Sequence, residues 1–205
     1  DVRVRMKDIA WDAIAKGYQA AQKIFKKQVE RRKMKPNEFD NTMARIEGTT
    51  TYAGFHQVDL VVEAIVENMD VKKQVFQELE KHVGESAVLA TNTSSLSVSE
   101  IASATRKPSR VVGMHFFNPV NRMPLVEVIP GKNTSDEAIA VIFDLSKKMG
   151  KTPIKVGDCA GFIVNRILLP YMNEAVLMLE QGVSILRMDR IIEKFDMPMG
   201  PFVLA

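Results

Sequence analysis

The sequence holds one cysteine, Cys159, among its 205 residues. No disulfide can form within one copy of the chain, and such cysteine usage favours a reducing compartment. Cys159 follows an acidic residue and has no base beside it in sequence, so we interpret it as an inert thiol. Histidine is also scarce, with three copies at spacings that do not suit metal ligation, and the sequence therefore predicts no metal site.

Long apolar runs and a large excess of one charge are absent as well. No stretch approaches the ~20 apolar residues that a membrane-spanning helix needs, and no signal peptide, transit peptide or lipidation motif is visible. The net charge is only +3, from 28 basic and 25 acidic residues. This balance gives no reason to expect a nucleic-acid partner, although it would suit an anionic substrate.

What the sequence does contain is a regular alternation of strand-like and helix-like segments. The predicted strands cover residues 2–8, 58–67, 86–95, 110–116, 124–129 and 152–156. The predicted helices cover residues 12–32, 36–47, 70–83 and 135–149, and a short helix begins at the capping box of residues 97–100. This order is typical of a parallel, doubly wound α/β sheet.

The pattern changes after Gly157. The apolar run of residues 161–182 and the segment 188–195 have helical spacing, and no strand signal follows. The sequence therefore predicts a sheet domain over residues 1–157 and the start of an all-helical domain over residues 158–205.

Polar residues gather at the predicted strand ends. Ligands of open α/β sheets bind at the carboxyl ends of the strands. Asp8 closes the first strand, Glu63 and Glu67 lie at or just beyond the end of the second, Asn92 to Ser95 close the third, and His115 with Asn118 closes the fourth. Four such groups at one edge of one sheet predict a binding site there.

His115 and Glu127 are the candidates for proton transfer. Imidazole has an ordinary pKa near ~6.5 and can exchange protons at neutral pH. A carboxylate on its second nitrogen would fix the tautomer and stabilise the imidazolium. Such a pair suits removal of a hydroxyl proton while a hydride leaves the same carbon. The alternative is a buried histidine with a purely structural partner.

Two further residues have local interpretations. Asp8 ends a strand where a dinucleotide fold places the acid that binds the ribose hydroxyls of NAD, and its alternative role is helix capping. The G-x-G-x-x-G loop that should precede this acid by about 20 residues is not in the sequence, since seven residues precede Asp8. Asn165, an amide in an apolar helix, should contact either a ligand or the backbone of the neighbouring domain.

Several longer motifs resemble those of one family. They are "VVEAIVEN", "TNTSSLSVSEIA", "GMHFFNPVNRMPLVEVI", "GFIVNRILLPYMNEA" and "PMGPF". In this order they resemble the L-3-hydroxyacyl-CoA dehydrogenase family over nearly the whole chain. The form "NPVNRMPLVEVI" is most similar to the dehydrogenase region of multifunctional fatty-acid oxidation complex α-subunits.

The resemblance implies NAD-dependent oxidation of L-3-hydroxyacyl-CoA to 3-ketoacyl-CoA in β-oxidation. His115 matches the base that takes the 3-hydroxyl proton, and Glu127 matches its carboxylate partner. Ser94 matches the hydroxyl that contacts the substrate near the reacting oxygen and the nicotinamide. Asn165 matches the amide that holds the acyl oxygens, and Asn118 matches a residue that supports the site.

Four more residues match positions along the NAD cleft of the family: Asp8, Glu67, Lys72 and Asn92. From composition alone, Lys72 would instead be a solvated helix lysine. The resemblance also implies an acyl-CoA substrate, and either a homodimer or a fatty-acid oxidation complex with a thiolase subunit. The implied location is the bacterial cytoplasm, with the mitochondrial matrix or the peroxisome as alternatives.

The sequence departs from the family in three places. The glycine-rich loop is missing, so we expect a Rossmann-type sheet that lacks its first strand. The strand of residues 2–8 should then face a gap, and should pack differently, borrow a strand from another chain, or detach. Ala160 stands in place of the family's proline before Gly161-Phe162. The chain stops at Ala205, which predicts that the helical domain is only partly present.

Two other functions remain open. One is a 3-hydroxybutyryl-CoA dehydrogenase that works in the reductive direction. The other is a non-catalytic piece whose sheet edges and helices mediate self-association and which binds NAD weakly or not at all.

Overall fold

The computed structural model describes residues 2–204. They form two compact units: the first contains the chain up to Val58 and residues 82–84, and the second contains Asp59–Lys81 and the chain from Glu85 onward. Among the described residues, no helix is both long enough and apolar enough to cross a bilayer.

The first unit contains a two-stranded parallel sheet and two helices. Its elements are β1 (Val4–Lys7), α1 (Trp11–Glu30), α2 (Pro36–Met43), β2 (Ile46–Thr49) and a 3-10 turn at Phe55–Gln57. Pro36 begins α2, where its missing N–H costs nothing. α1 reaches β2 closely at Gly48, because a Cβ there would stand 2.5 Å from Ile14 Cγ2.

Strand β2 was missed by the sequence analysis, which predicted helix through Glu47. The strand has only four residues and includes Gly48, so its local signal is weak. Its pairing partner decides its conformation: Val4 and Met6 of β1 lie opposite Ile46 and Gly48. Pairing between distant segments here overrides local propensity.

The prediction that all four polar strand ends lie on one sheet is wrong for Asp8. Asp8 follows β1, which hydrogen-bonds β2 in a sheet separate from the one that carries the other three groups. The Asp8 N–H continues this pairing by donating to Thr49 O at 3.3 Å. Whether β1 is displaced, detached or completed by another chain stays a prediction.

The second unit contains a five-stranded sheet in the order β3-β4-β5-β6-β7. Its strands are β3 (Leu60–Glu63), β4 (Val88–Thr91), β5 (Val111–Phe116), β6 (Leu125–Pro130) and β7 (Thr152–Lys155). The helices between them are α3 (Met69–His82), α4 (Val98–Ala102) and α5 (Asp136–Lys148), with a 3-10 turn at Pro108–Arg110. The α/β class and the alternation of elements are as the sequence predicted.

The sheet is not wholly parallel, and this corrects the sequence analysis. β3, β4 and β5 run in one direction, whereas β6 is antiparallel to β5 and parallel to β7. Only residues 117–124 connect β5 to β6. A parallel pair needs a crossover of about a dozen residues or more, so this short connection forces a reversal.

The core of the second unit lies between the sheet and α5. All four residues of β4 are buried, as expected for a strand covered on both faces. The central apolar cluster consists of Val88, Ala90, Val112, Met114, Val126, Val128, Ala138 and Ile142. α4 contacts the sheet at Gly113, where a Cβ would stand 2.9 Å from Val98 Cγ2.

In the described residues after β7, up to residue 204, the regular elements are all helices, as the sequence predicted. They are α6 (Val164–Glu180), α7 (Ile185–Lys194) and α8 (Pro201–Leu204). α6 begins three residues later than the apolar pattern suggests, because Gly161 and Phe162 have φ angles of 74° and 47°. Two successive left-handed residues cannot belong to a right-handed helix.

Candidate active site

His115 and Glu127 lie directly opposite each other on β5 and β6. Residues opposite each other in an antiparallel pair project to the same face of the sheet. His115 Nδ1 is 2.8 Å from Glu127 Oε2, and the two residues are only 5% and 0% exposed. The twelve-residue spacing noticed in the sequence is therefore the register of a hairpin, and the predicted contact between the two side chains is present.

The second oxygen of Glu127 is bound by the start of α6. Glu127 Oε1 accepts hydrogen bonds from the N–H groups of Ile163 and Val164, both at 3.0 Å. The first N–H groups of a helix have no partner within the helix and attract negative charge. The left-handed turn at Gly161 and Phe162 precedes these donors. A buried carboxylate with three such contacts is compensated for its loss of water.

These two N–H donors were not predicted from the sequence. A backbone N–H has no residue-type signature, so Ile163 and Val164 look like ordinary apolar residues of the helix. The available signal was Gly161, which commonly marks a backbone turn that other residues avoid.

The imidazole of His115 lies between two aromatic rings. Its centroid is 4.7 Å from that of Phe117 and 5.6 Å from that of Phe162. When Glu127 is ionised it can only accept, so in that state Nδ1 is the donor and a neutral ring keeps its lone pair at Nε2. The arrangement can therefore take a proton at Nε2 and return it, with the tautomer fixed by the carboxylate.

The loop after β4 is tied to the end of β5. Asn92 Oδ1 accepts a hydrogen bond from Phe116 N at 2.9 Å, next to His115 in the chain. Ser94, two residues further on, is exposed. The loop between β4 and α4, residues 92–97, is called the Ser94 loop below. The structure holds it beside the end of β5, the strand that carries His115.

Glu67 holds the same loop from the β3 side. Its Oε1 accepts from Thr93 Oγ1 at 2.6 Å, from Ser94 N at 2.8 Å and from Ser95 N at 3.2 Å. Partial burial by itself would raise the pKa of Glu67. The hydrogen bonds from Thr93, Ser94 and Ser95 and the charge of Lys72 together outweigh burial, so the pKa lies below its ordinary value.

This lowered pKa predicts a pH dependence of stability. The folded pKa of Glu67 is below the ordinary 4.5, so its contribution is complete above about pH 4.5 and is lost as the pH falls through the folded value. A Glu67→Gln variant should therefore lose less stability than the unmodified protein between about pH 6 and about pH 3. Urea unfolding at several pH values measures the free energy of unfolding of both proteins. If this free energy changes with pH by the same amount in both, the prediction is contradicted.

Lys72 is not a solvated helix lysine, and that alternative is wrong. The residue is 0% exposed. Its Nζ lies 2.7 Å from Glu63 Oε1 and 3.5 Å from Glu67 Oε2. Glu63 is further bound by Thr91 Oγ1 and by Ile65 N, each at 2.7 Å. Lys72 therefore joins the end of β3 to the carboxylate that holds the Ser94 loop.

The remaining predicted site residues lie at different places. Asn118 is exposed in the connection after β5, and Asn165 is half-buried in the first turn of α6. Asp8 belongs to the first unit, where it is exposed and its Oδ1 accepts from Ile9 N at 2.7 Å. The N-cap of α1 is Ala10, so Asp8 is not the cap of that helix.

Apolar side chains are exposed beside these polar groups. Ile65 and Val66, directly after β3, are 40% and 66% exposed, and Glu67 follows them. Ligand sites of α/β folds lie at these strand ends and combine apolar surface with a few polar groups. Ile65 and Val66 offer apolar contact to a flat ring, and the carboxylate of Glu67 offers an acceptor for a hydroxyl group, so these residues fit a ligand that contains both.

Two family models match this sequence. The model described as "3-hydroxyacyl-CoA dehydrogenase, NAD binding domain" matches residues 1–159. The model described as "3-hydroxyacyl-CoA dehydrogenase, C-terminal domain" matches residues 161–205.

Curated relatives and solved structures agree with these matches. A fatty acid oxidation complex subunit alpha from Acinetobacter baumannii is 49% identical over 199 residues, which is 97% of this chain and 28% of the relative. The (S)-3-hydroxybutyryl-CoA dehydrogenase of Ralstonia eutropha superposes with a TM-score of 0.95 at 39% identity, over 99% of this chain and 72% of that one. The 3-hydroxybutyryl-CoA dehydrogenase of Escherichia coli gives 0.88 at 34% identity, over 97% and 43%.

Proposed function

Because the chain belongs to the 3-hydroxyacyl-CoA dehydrogenase family, we propose that the protein catalyses the NAD-dependent oxidation of L-3-hydroxyacyl-CoA to 3-ketoacyl-CoA in fatty-acid β-oxidation. The observation that carries this proposal is the buried His115–Glu127 pair near the end of β5, with 2.8 Å between Nδ1 and Oε2. The chain spans about 28% of the length of the curated relatives it matches, so the activity is proposed for the whole protein.

His115 acts as the base. Its Nε2 takes the proton of the substrate's 3-hydroxyl, and the C3–H bond releases a hydride as the C3 carbonyl forms. Glu127 stabilises the imidazolium that results, because its carboxylate already accepts the Nδ1 hydrogen. NAD, when bound, supplies the hydride acceptor. Ser94 contacts the substrate near the reacting oxygen, and Asn165 and Asn118 hold the substrate and support the site.

Three residues at strand ends are assigned to NAD binding. In the second unit, Glu67 and Asn92 follow β3 and β4; in the first unit, Asp8 follows β1 with an exposed carboxylate suited to ribose hydroxyls. Lys72 is buried and its Nζ pairs with Glu63 Oε1, while Glu67 Oε2 lies 3.5 Å from the same Nζ. We therefore assign Lys72 an indirect part in binding NAD, through the position of Glu67.

The proposal extends to organisation and partners. Residues 1–157 form the NAD-binding domain and residues 158–205 belong to a helical domain that takes part in dimerisation and substrate binding. The helical segment exposes large apolar side chains, among them Ile167, Leu169, Leu186, Phe195 and Val203. This surface supports association with another chain, as a homodimer or in a fatty-acid oxidation complex with a thiolase subunit. We propose the bacterial cytoplasm as the location because the similar curated proteins are bacterial.

A second candidate is the activity in the names of two similar solved structures, 3-hydroxybutyryl-CoA dehydrogenase, working in the reductive direction. The two candidates differ in preferred chain length and direction. Comparing kcat/KM for four-carbon and longer acyl-CoA substrates in both directions distinguishes them. A preference for four-carbon substrate in the reductive direction would favour the second candidate.

The direct test uses the purified full-length protein with L-3-hydroxyacyl-CoA and NAD, followed by the absorbance of NADH. We expect turnover of the L isomer, no turnover of the D isomer, and a preference for NAD over NADP. Calorimetric titration with NADH is the companion measurement. Binding of NADH without oxidation of either isomer would refute the proposed reaction, and absence of both would support a non-catalytic role.

A further inference from the structure

Asp158 lies between β7 and α6, in a position to which the sequence analysis gave no role. Its carboxylate accepts three hydrogen bonds from the start of α4: Ser97 Oγ at 3.0 Å, Val98 N at 2.9 Å and Ser99 N at 2.7 Å. Ser97 Oγ in turn accepts from Glu100 N at 3.2 Å. Two side chains thus bind the first free N–H groups of α4.

These contacts fix one end of the Ser94 loop. Hydrogen bonds from backbone N–H groups to a carboxylate are among the stronger ones. α4 itself is anchored, because Val98 and Ile101 are fully buried. Only Ser95 and Leu96 separate Ser94 from Ser97, so a rigid start of α4 restricts where Ser94 can move.

The loop is therefore held from both sides. Glu67 binds it at Thr93, Ser94 and Ser95, and Asp158 binds it where α4 begins. The exposed Ser94 lies between these two anchors.

The segment of residues 158–164 also reaches the other half of the site. Its first residue, Asp158, binds the start of α4, while the N–H groups of Ile163 and Val164 bind Glu127, the partner of His115. One stretch of chain is thus hydrogen-bonded both to the Ser94 loop and to the His115–Glu127 pair.

We propose that Asp158 is a positioning residue that holds Ser94 in place relative to His115, an inference that rests on the proposed function. Asp158 acts through the start of α4 and needs no contact with the substrate. Without its carboxylate, the N–H groups of Val98 and Ser99 lose their acceptor and the loop gains freedom. Ser94 then occupies its reactive position less often, which lowers the rate of the chemical step more than it lowers binding.

The test is an Asp158→Ala variant of the full-length protein. We expect kcat to fall by about 10- to 100-fold, with KM for acyl-CoA and for NAD changed by less than about 3-fold. The matched control is Ser135→Ala, since Ser135 caps α5 by accepting from Ala138 N at 3.2 Å. That control should lower the melting temperature by on the order of 4 °C without changing kcat.

A double variant separates positioning from general destabilisation. If Asp158 acts through Ser94, adding Asp158→Ala to a Ser94→Ala protein should lower kcat by less than about 3-fold further. Asp158→Asn retains an acceptor for Val98 N and should recover part of the lost kcat. Should Asp158→Ala fold poorly, the Asn variant gives the same comparison against Ser94→Ala.

The possible outcomes distinguish failure of the positioning role of Asp158 from failure of the proposed function. Normal kcat in Asp158→Ala, or kcat losses from Asp158 and Ser94 that simply multiply, would overturn the positioning role while leaving the proposed function intact. No oxidation of L-3-hydroxyacyl-CoA by the unmodified protein would overturn both. A loss of kcat that vanishes in the Ser94→Ala background supports the inference.

Discussion

A His115→Gln variant should lower kcat for oxidation of L-3-hydroxyacyl-CoA by about 10²- to 10⁴-fold. Glutamine is uncharged and of similar reach, so it fills the space between Phe117 and Phe162 and can still donate to Glu127. It cannot take a proton from the substrate. Because the loss is confined to the proton transfer, the affinity for NADH should stay within about 3-fold of the unmodified value.

Steady-state kinetics and calorimetric titration with NADH measure these two effects. The matched control is His56→Gln, because His56 is an exposed histidine in the 3-10 turn of the first unit. This control should leave kcat within about 2-fold of the unmodified value. Unchanged turnover in the His115 variant would remove this residue from the mechanism, and loss of NADH binding would point to a folding defect.

The sequence located the contact between His115 and Glu127, because polar residues at or near strand ends are conspicuous in apolar surroundings. His115 and Asn92 both follow from this rule. The contact between His115 and Glu127 was predicted correctly, but within a wholly parallel sheet. The actual cause is the antiparallel register of β5 and β6, which depends on the length of their connection and not on the type of either residue.

Features that depend on distant pairing were harder to predict. Strand β2 has four residues and a weak pattern, and only β1 makes it a strand. The donors to Glu127 are backbone groups, and the contacts of Asp158 join residues about sixty positions apart. No local rule brings such groups together, since each contact depends on how whole elements pack.

The burial of Lys72 could have been read from periodicity. Lys72, Phe76 and Leu79 are the buried residues of α3, and positions i, i+4 and i+7 share one face of a helix. The neighbouring Lys73 lies off this face and is partly exposed, paired with Glu100 at 2.6 Å. A lysine on an apolar stripe needs a buried acid, and Glu63 was the strand-end carboxylate available.

Lys72→Met should be the most destabilising of the substitutions considered, at about 3–5 kcal/mol in the free energy of unfolding. Methionine fills the space of the lysine stem but leaves Glu63 buried without its ammonium partner, which lies 2.7 Å away. The control at the next position, Lys73→Met, breaks a more exposed ion pair and should cost less than about 1 kcal/mol. Urea unfolding of both variants measures the difference.

A Lys72→Met/Glu63→Gln double variant tests the cause of that loss. If the unpaired charge is responsible, neutralising Glu63 should recover at least about half of the stability, because a buried ion pair can be replaced by neutral groups at little cost. Glutamine can still accept from Ile65 N at the Oε1 position, and its NH2 group at the Oε2 position can donate to the hydroxyl of Thr91. If the double variant is instead no more stable than Lys72→Met alone, the unpaired charge of Glu63 is not the cause of the loss.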